Sequence, residues 1–155
     1  MKDPVFFPGL YSATGFDVMA ILFCLMVRKN PQINLGPVDC SVALILCDLD
    51  LPDEPIVYVT DAFCDLTGYT KPEIVGRNCR FLQTPNPDSK AMPSPHCKAA
   101  PTQMRDAIKD RKEVQLRVVN YRKDGQRFYN MVTIIPVDLD DSGHRYAVGF
   151  SVEVQ

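Results

Sequence analysis

Residues 76–83 read GRNCRFLQ and bring together several side chains that can bind or react with a ligand. The octamer offers one thiol, two guanidinium groups and two side-chain amides around the apolar pair Phe81 and Leu82. A single cysteine is more often a small buried hydrophobe than a reactive group, and no histidine lies close to Cys79 in the sequence to activate it. The glycines form neither G-x-G-x-x-G nor a Walker pattern, so no phosphate loop is predicted. The residues alone therefore indicate a ligand-binding domain of unspecified chemistry.

The composition is that of one globular domain. The 155 residues are 46% hydrophobic and 23% charged with a net charge of −2, which excludes a disordered chain and argues against a nucleic-acid surface. The longest apolar stretch, residues 16–27, contains an aspartate and is too short to span a membrane. No two of the six cysteines have zinc-knuckle or redox-pair spacing. Because no secretory leader is apparent, we expect reduced thiols and a cytoplasmic or nuclear location.

Apolar patterning and turn residues predict an α+β domain with an antiparallel sheet. Residues 16–27 are almost entirely apolar and are followed by Arg28, Lys29 and Pro31, which predicts a helix ending near residue 29. This helix is either buried in the core or lies on the domain and offers its outer face to a partner. Thr60 and Thr70 are predicted helix caps. The remaining predictions are strands at 42–47, 56–59, 114–121, 127–137 and 145–154, a helix at 102–110, and an irregular, proline-rich loop at 84–101.

The last predicted strand separates large from small side chains. Its even positions are Tyr146, Val148, Phe150, Val152 and Val154, and its odd positions begin with Ala147, Gly149 and Ser151. The large face needs a covering element, for which the N-terminal helix is the candidate. The small face leaves room for a flat ligand.

Two amides lie in phase with apolar positions on the two preceding strands, at Asn120 and Asn130. An unpaired buried amide costs about 1–3 kcal/mol. The two side chains either pair with each other or with the backbone, or they bind a ligand that alternates donors and acceptors.

The octamer GRNCRFLQ resembles the signature of LOV domains, the flavin-binding blue-light branch of the PAS fold. Arg105, Asn120 and Asn130 follow at the spacings this family uses, and the likeness extends over residues 36–153. The leading helix and residues 36–39 resemble the fungal photoreceptors of the Vivid and Envoy type. The resemblance implies a five-stranded antiparallel sheet with short helices on one face and an N-terminal cap helix on the other. It also implies a cap over residues 1–36 and a flavin-binding core over residues 37–155.

The resemblance implies a role for each matching residue. Cys79 takes the position of the photoactive thiol, whose sulfur adds to flavin C(4a) after blue-light absorption. Arg80 and Arg105 are implied partners of the flavin phosphate. Asn120 and Asn130 are implied to contact the pyrimidine edge of the ring. The other implied flavin contacts are Asn78, Leu82, Gln83, Ile45, Ile56, Cys47 and Ser151.

Three finer expectations follow from the resemblance. Asn120 and Asn130 are expected to lie near-opposite across a hairpin with an odd-length loop at residues 124–126. The signalling glutamine of the family falls on Ser151, a departure that puts signal transfer, but not adduct formation, in doubt. Ile45 and Ile56 match bulky residues that crowd the flavin, which predicts dark reversion over hours, although the sequence is equally compatible with both being plain core residues of their strands.

The expected output is a rearranged cap that exposes apolar surface and forms a light-dependent homodimer. A White Collar-type transcription complex is the implied partner, with no direct contact to nucleic acid or membrane. The long 84–101 loop resembles the fungal insertion that shelters an adenine, so FAD is favoured and FMN is possible. Cys40, in the hinge, is either an idle thiol or forms an intermolecular disulfide.

The leading function is a photosensory interaction module without enzymatic activity. A flavin-based sensor of oxidative stress that uses cysteine oxidation is the alternative. A light-independent PAS ligand sensor is the third, and the cysteine at position 79 argues against it.

Overall fold

Five strands form one antiparallel sheet. The computed structural model describes residues 18–28, 31–33, 35, 41–87, 99–139 and 142–155, without the side chains of residues 99–101. The strands are β1 (Ala43–Asp48), β2 (Ile56–Val59), β3 (Val114–Tyr121), β4 (Arg127–Val137) and β5 (Tyr146–Val154). They lie in the order β2-β1-β5-β4-β3, with every neighbouring pair antiparallel. The predicted α+β class and the five-stranded sheet are confirmed.

The helices lie on both faces of this sheet. They are α1 (Val18–Met26), α2 (Asp61–Thr67), α3 (Lys71–Ile74), a 3-10 helix (Cys79–Gln83) and α4 (Ala99–Lys109). On one face, Ile21, Leu22 and Leu25 of α1 pack against Val148 and Phe150 of β5. On the opposite face, α2, α3 and the 3-10 helix pack against alternate residues of β1. The predicted layers are therefore confirmed.

Helix α1 covers the sheet with one side only. Its other side leaves four large apolar side chains more than half exposed, namely Met19, Phe23, Met26 and Val27 just beyond its end. Of the two expectations for this helix, the structure matches a helix that lies on the domain and keeps an outer face. Within the described residues, no helix has the length and apolar character needed to cross a membrane.

Both predicted threonine caps are present. The Thr60 hydroxyl accepts hydrogen bonds from the N–H groups of Phe63 (3.4 Å) and Leu44 (3.0 Å), which ties the start of α2 to β1. Gly68 ends α2 with a φ of 81°, a left-handed conformation that glycine adopts at little cost. At α3, the Glu73 carboxylate accepts from the Thr70 N–H at 2.9 Å.

Several predicted boundaries are wrong by one to three residues. Helix α4 begins at Ala99 rather than at Thr102, because a proline in the first turn, here Pro101, lacks only an N–H that has no partner in the helix. Strand β5 begins at Tyr146 rather than Arg145, since the Arg145 N–H donates to the Asp50 carboxylate at 2.7 Å instead of joining the ladder. Strand β1 is shifted by one residue, to Ala43–Asp48.

The hairpin between β3 and β4 differs from the expected one. Its last paired residues are Arg122 and Gln126, because the Arg122 N–H donates to the Gln126 carbonyl at 2.9 Å. The odd-length loop is therefore residues 123–125 rather than 124–126. Gly125 has a φ of 92° in this turn. With this register Asn130 is opposite Val118 and Asn120 is opposite Phe128. The two asparagines are diagonal neighbours joined by a hydrogen bond of 2.9 Å, so the near-opposite placement and the odd loop length are as expected, while the loop residues are not.

Candidate functional site

A cavity lies on the face of the sheet opposite α1, between the strands and the helices α2, α4 and the 3-10 helix. Its sheet wall is formed by alternate residues of β1, β3, β4 and β5, because side chains that share a face recur every second residue. Most of the residues predicted to bind the flavin line it. They are Ile45, Cys47, Asn78, Cys79, Arg80, Leu82, Gln83, Arg105, Asn120, Asn130 and Ser151.

The small face of β5 forms the floor of the cavity. Ala147, Gly149 and Ser151 all line it, as the alternation in the sequence predicts. Gly149 lies opposite Ile45 of β1, and a Cβ added at Gly149 would meet the Ile45 Cγ1 at 3.1 Å. The missing side chain at position 149 therefore lets Ile45 lie close over β5. Part of the space predicted for a flat ligand is taken by Ile45.

The two buried asparagines form a hydrogen-bonded network with β5. The Asn130 Nδ2 donates to the Asn120 Oδ1 at 2.9 Å and to the Ser151 Oγ at 3.1 Å. The Asn130 Oδ1 accepts from the Val152 N–H at 3.1 Å, and the Asn120 Nδ2 donates to the Val119 carbonyl at 2.9 Å. The amides thus pair with each other and with the backbone, one of the two arrangements expected from the sequence, while both residues still line the cavity.

Cys79 is the first residue of the 3-10 helix, and the chain before it is held at several points. The Asn78 Oδ1 caps this helix by accepting from the Arg80 N–H at 2.9 Å, and the Asn78 Nδ2 donates to the Asp53 carbonyl at 2.7 Å. The Ile56 N–H donates to the Arg77 carbonyl at 2.8 Å, which attaches the same segment to β2. These contacts fix where the thiol stands in the cavity wall.

A second thiol lies against Cys79. The Cys47 side chain, on the cavity side of β1, is hydrogen-bonded to Cys79. This bond and burial raise the pKa of the Cys47 thiol well above its ordinary value. The same bond lowers the pKa of Cys79, because a donated hydrogen bond stabilises the thiolate, although burial acts in the opposite direction.

Two arginines stand at the rim of the cavity. Arg80, half exposed, forms an ion pair with the Asp53 carboxylate, and this pairing raises its pKa. Asp53 lies in the turn between β1 and β2 with a φ of 66°. Arg105, on α4, is the second rim cation. The site thus combines an apolar interior, an amide–hydroxyl network, a thiol pair and a cationic rim.

This arrangement has close counterparts among known proteins. Residues 41–154 match the family model of the PAS domain. A solved fungal LOV-domain photoreceptor, described as part of a pathway that integrates blue light and oxidative stress, is 53% identical with a TM-score of 0.83, over 94% of this chain and 99% of that one. This chain belongs to the LOV domains of the PAS family.

Further comparisons identify this LOV domain with the Vivid type of blue-light photoreceptor. The light-state dimer of Vivid is 48% identical with a TM-score of 0.79, over 94% of this chain and 99% of that chain. The blue light receptor lreA of Aspergillus flavus is 45% identical over 96% of this chain, and the White collar 1 protein of Neurospora crassa is 42% identical over 94%. The chain spans only 18% and 13% of the length of these two relatives.

Some predicted site residues lie elsewhere. Ile56 does not line the cavity; it is fully buried in the core cluster that includes Ile45, and its backbone anchors the segment before Cys79. Cys40, the hinge over residues 36–40 and most of the proline-rich loop fall outside the described residues. Among the described residues, no group of three or more His, Cys, Asp and Glu side chains is placed to hold a metal ion.

Sequence reasoning missed several residues of the site. Phe63 of α2 and Glu54 of the β1–β2 turn also line the cavity. Phe63 gave no signal, since an apolar residue in a capped helix is ordinary core. The turn carrying Asp53 was recognisable from its prolines, but its approach to Arg80 depends on the path of the chain between β1 and β2.

The sequence also gave no sign of an anchor that holds the N-terminal region. The Arg28 Nε pairs with the Glu113 Oε2 at 2.6 Å, just before β3. The Glu113 Oε1 accepts from the N–H groups of Gln32 (2.9 Å) and Ile33 (2.8 Å). Burial raises the pKa of Glu113, but the hydrogen bonds from Arg28, Ile33 and Gln32 together lower it more, so the net pKa lies below the ordinary glutamate value.

Proposed function

We propose that this LOV domain binds a flavin in the cavity and senses blue light through the Cys79 thiol. The observation that carries the proposal is that Cys79 and the Asn120–Asn130 amide pair, which come from separate elements, face one cavity. Neither feature has a structural need to face the other, because a core of this size is normally filled by apolar side chains. Because they face one cavity, they support a bound molecule that has a ring with a polar edge for the two amides and an atom that reacts with the thiol.

The chemistry of the cavity fits such a group. Arg80 and Arg105 would hold the phosphate, and the pairing of Arg80 with Asp53 supports a guanidinium that takes an anionic oxygen at the rim. Asn120 and Asn130 would hold the polar edge of the ring, and Ile45 and Leu82 its apolar part. A bound flavin would supply blue-light absorption and an electrophilic carbon for the sulfur of Cys79.

The protein prepares the thiol for this reaction. The capped start of the 3-10 helix fixes the Cys79 backbone, and the hydrogen bond from Cys47 orients its sulfur and makes it more acidic. The remaining sulfur lone pairs are available to the cavity. A bulky residue in the cavity wall, Ile45, restricts water there, and we propose that this slows the return to the dark state.

The signal is proposed to leave the cavity through β5. Asn130 is bonded both to the Ser151 hydroxyl and to the backbone of Val152, so a change at Asn130 acts on this strand. Val148 and Phe150, on the opposite face of β5, contact α1. A shift of β5 therefore changes the surface on which α1 rests.

The proposed output is a light-dependent homodimer formed through the exposed side of α1. Support comes from the apolar outer face of this helix and from the similarity to the light-state dimer of Vivid. A White Collar-type complex is the proposed partner, since White collar 1 contains a segment related to this chain. Size-exclusion chromatography in the dark and after illumination tests the dimer; a mass that stays monomeric at high concentration removes it.

The finer identity of the module also remains a proposal. We propose FAD in preference to FMN because of the length of the 84–101 segment, and mass spectrometry of the extracted cofactor decides between them. We further propose a cap over residues 1–36 and a core from residue 37, a signalling role without enzymatic activity, and a cytoplasmic or nuclear location.

The decisive experiment is an absorbance spectrum in the dark and after a blue pulse. The flavin-loaded chain should lose its blue absorbance in light and regain it in the dark. Cys79→Ala should keep the bound flavin and lose the bleaching. Cys64→Ala is the matched control, because Cys64 is a partly buried cysteine of α2 that does not line the cavity. A wild-type chain that stays colourless after reconstitution, or a Cys79→Ala chain that still bleaches reversibly, would contradict the proposal.

A further inference from the structure

Cys47 and Cys79 place two thiols in the wall of one cavity, whereas the proposed light response forms a bond to only one sulfur atom. The two residues come from separate elements, β1 and the 3-10 helix, and both line the cavity. The proposed light response uses position 47 only as a hydrogen-bond donor, which a hydroxyl group would supply equally well, whereas a thiol adds redox chemistry. Cys79 packs against the core cluster that contains Cys47, and each thiol shifts the pKa of the other.

Local backbone geometry gives Cys47 a special place. The pairing of β1 with β2 shifts register between Leu46 and Cys47, and irregularities of this kind re-aim a side chain or end a ladder beside functional sites. Cys47 is almost completely buried, whereas Cys79 is only partly buried. Both thiols line the cavity, and Cys79 is the more exposed of the two, so a reagent that enters the cavity has better access to Cys79.

We propose that Cys47 and Cys79 are a redox site that closes an intramolecular disulfide when the domain meets a hydroperoxide. The Cys79 sulfur attacks a peroxide oxygen, the O–O bond breaks, and hydrogen peroxide leaves one oxygen on the sulfur as a sulfenic acid and one as water. The Cys47 sulfur then displaces that hydroxyl group as a second water, which takes the Cys47 proton. Together the two thiols lose two protons and two electrons, and one peroxide is reduced to two waters.

The electrostatics favour this order of events. The thiolate is the nucleophile in peroxide attack, and the Cys79 pKa is lowered while that of Cys47 is raised. Cys79 thus reacts first and Cys47 resolves the sulfenic acid. This chemistry is separate from the hinge cysteine, Cys40, and needs no second copy of the chain.

The disulfide would also remove the thiol on which the proposed light response depends. A Cys79 sulfur bonded to Cys47 cannot add to a cavity ligand. An oxidised domain would therefore not respond to light until a thiol reductant cleaves the disulfide. The bond itself does not rest on the proposed function; only this consequence does.

The test treats the purified full chain with hydrogen peroxide in the dark, followed by alkylation and peptide mapping under non-reducing conditions. We expect the intact mass to fall by two hydrogens and a linked peptide to join Cys47 to Cys79, both reversed by dithiothreitol. In the same samples, blue-light bleaching should fall in proportion to the linked fraction and return on reduction. Because the linked peptide is detected by mass, it decides the proposal even in a chain without a light response.

Two variants sharpen the result. In Cys47→Ala, Cys79 has no resolving partner, so peroxide should drive it to sulfinic and sulfonic acids that dithiothreitol does not reverse. Cys64→Ala, the matched control, should form the Cys47–Cys79 link like the unaltered chain. Absence of that link in the unaltered chain, or a Cys79 in Cys47→Ala that still oxidises reversibly without overoxidation, would overturn the proposal.

Discussion

Replacing Glu113 with alanine should release α1 from the sheet while the core stays folded. Glu113 joins three parts of the N-terminal region to the start of β3, through Arg28 and through the N–H groups of Gln32 and Ile33. Arg28 in turn donates to the carbonyls of Leu25, at the end of α1, and Ile33. Glu113→Ala removes the one carboxylate that all these groups share.

The burial of the pair sets the size of the effect. The side chains of Arg28 and Glu113 are only 13% and 7% exposed, so solvent screens them little. Removing one partner from a buried ion pair costs about 3–5 kcal/mol. Docking of Ile21, Leu22 and Leu25 contributes at most about 5–9 kcal/mol together. The substitution thus removes a large share of what holds α1, and the undocked fraction should rise by about a hundredfold or more.

Hydrogen exchange measured by mass spectrometry in the dark tests this effect by segment. The amides of α1 should lose about two orders of magnitude of protection in Glu113→Ala, whereas those of β4 and β5 should keep theirs. Asp138→Ala is the matched control, since the Arg111–Asp138 pair is an exposed ion pair at 3.1 Å that contributes about 1 kcal/mol or less. Unchanged protection in α1, or an equal loss across the whole sheet, would refute the reasoning that Glu113 holds the cap in particular.

Four further predictions follow. Because the folded-state pKa of Glu113 is lowered, its stabilisation of the cap is complete above the ordinary value of 4.5 and is lost as the pH falls through the lower folded value; exchange in α1 should rise in that range. Gly149→Ala brings a Cβ to 3.1 Å from Ile45 and should lower the free energy of unfolding in urea by about 1–3 kcal/mol, with partial recovery when Ile45→Ala is added. Ile45→Val opens the cavity wall and should shorten dark recovery of the absorbance from hours towards minutes. Ser151→Gln should leave the bleaching intact but change the light-minus-dark difference in α1 exchange, since it replaces the hydroxyl bonded to Asn130; an unchanged difference removes Ser151 from the signalling path.

Local signals in the sequence predicted most of the sheet. The bounds of β2, β3 and β4 agree residue for residue with the structure, because prolines, glycines and aspartates mark their ends. Helix α4 was predicted three residues short because Pro101 suggests a break, although a first turn accepts it. The loop of the β3–β4 hairpin lies one residue before the expected one, and because moving the turn by one residue moves every pair by two, Asn120 and Asn130 are diagonal rather than directly opposite.

Contacts between distant segments were out of reach of the same reasoning. Arg28 and Glu113 are 85 residues apart, and each has the composition of an ordinary surface charge. The thiol pair of Cys47 and Cys79 is hidden for the same reason, because its spacing matches no local motif. Only the path of β1 beneath the 3-10 helix brings the two sulfur atoms together.

The replacement of the expected glutamine by Ser151 changes which group can carry a signal into β5. The Asn130 amide donates to Ser151 and accepts from the Val152 N–H, so turning this amide over would place its Nδ2 against another donor and break the second bond. A serine hydroxyl is both donor and acceptor and adapts by rotating. Ser151 therefore does not oppose a reversal of the Asn130 amide. The strain of a reversed Asn130 amide would therefore fall on Asn120, whose Oδ1 would face the Asn130 Oδ1, and on the backbone of Val152, two residues from the Phe150 side chain on which α1 rests. A change at Asn130 would therefore act on β5 through the Val152 N–H, and the serine would permit that change rather than drive it.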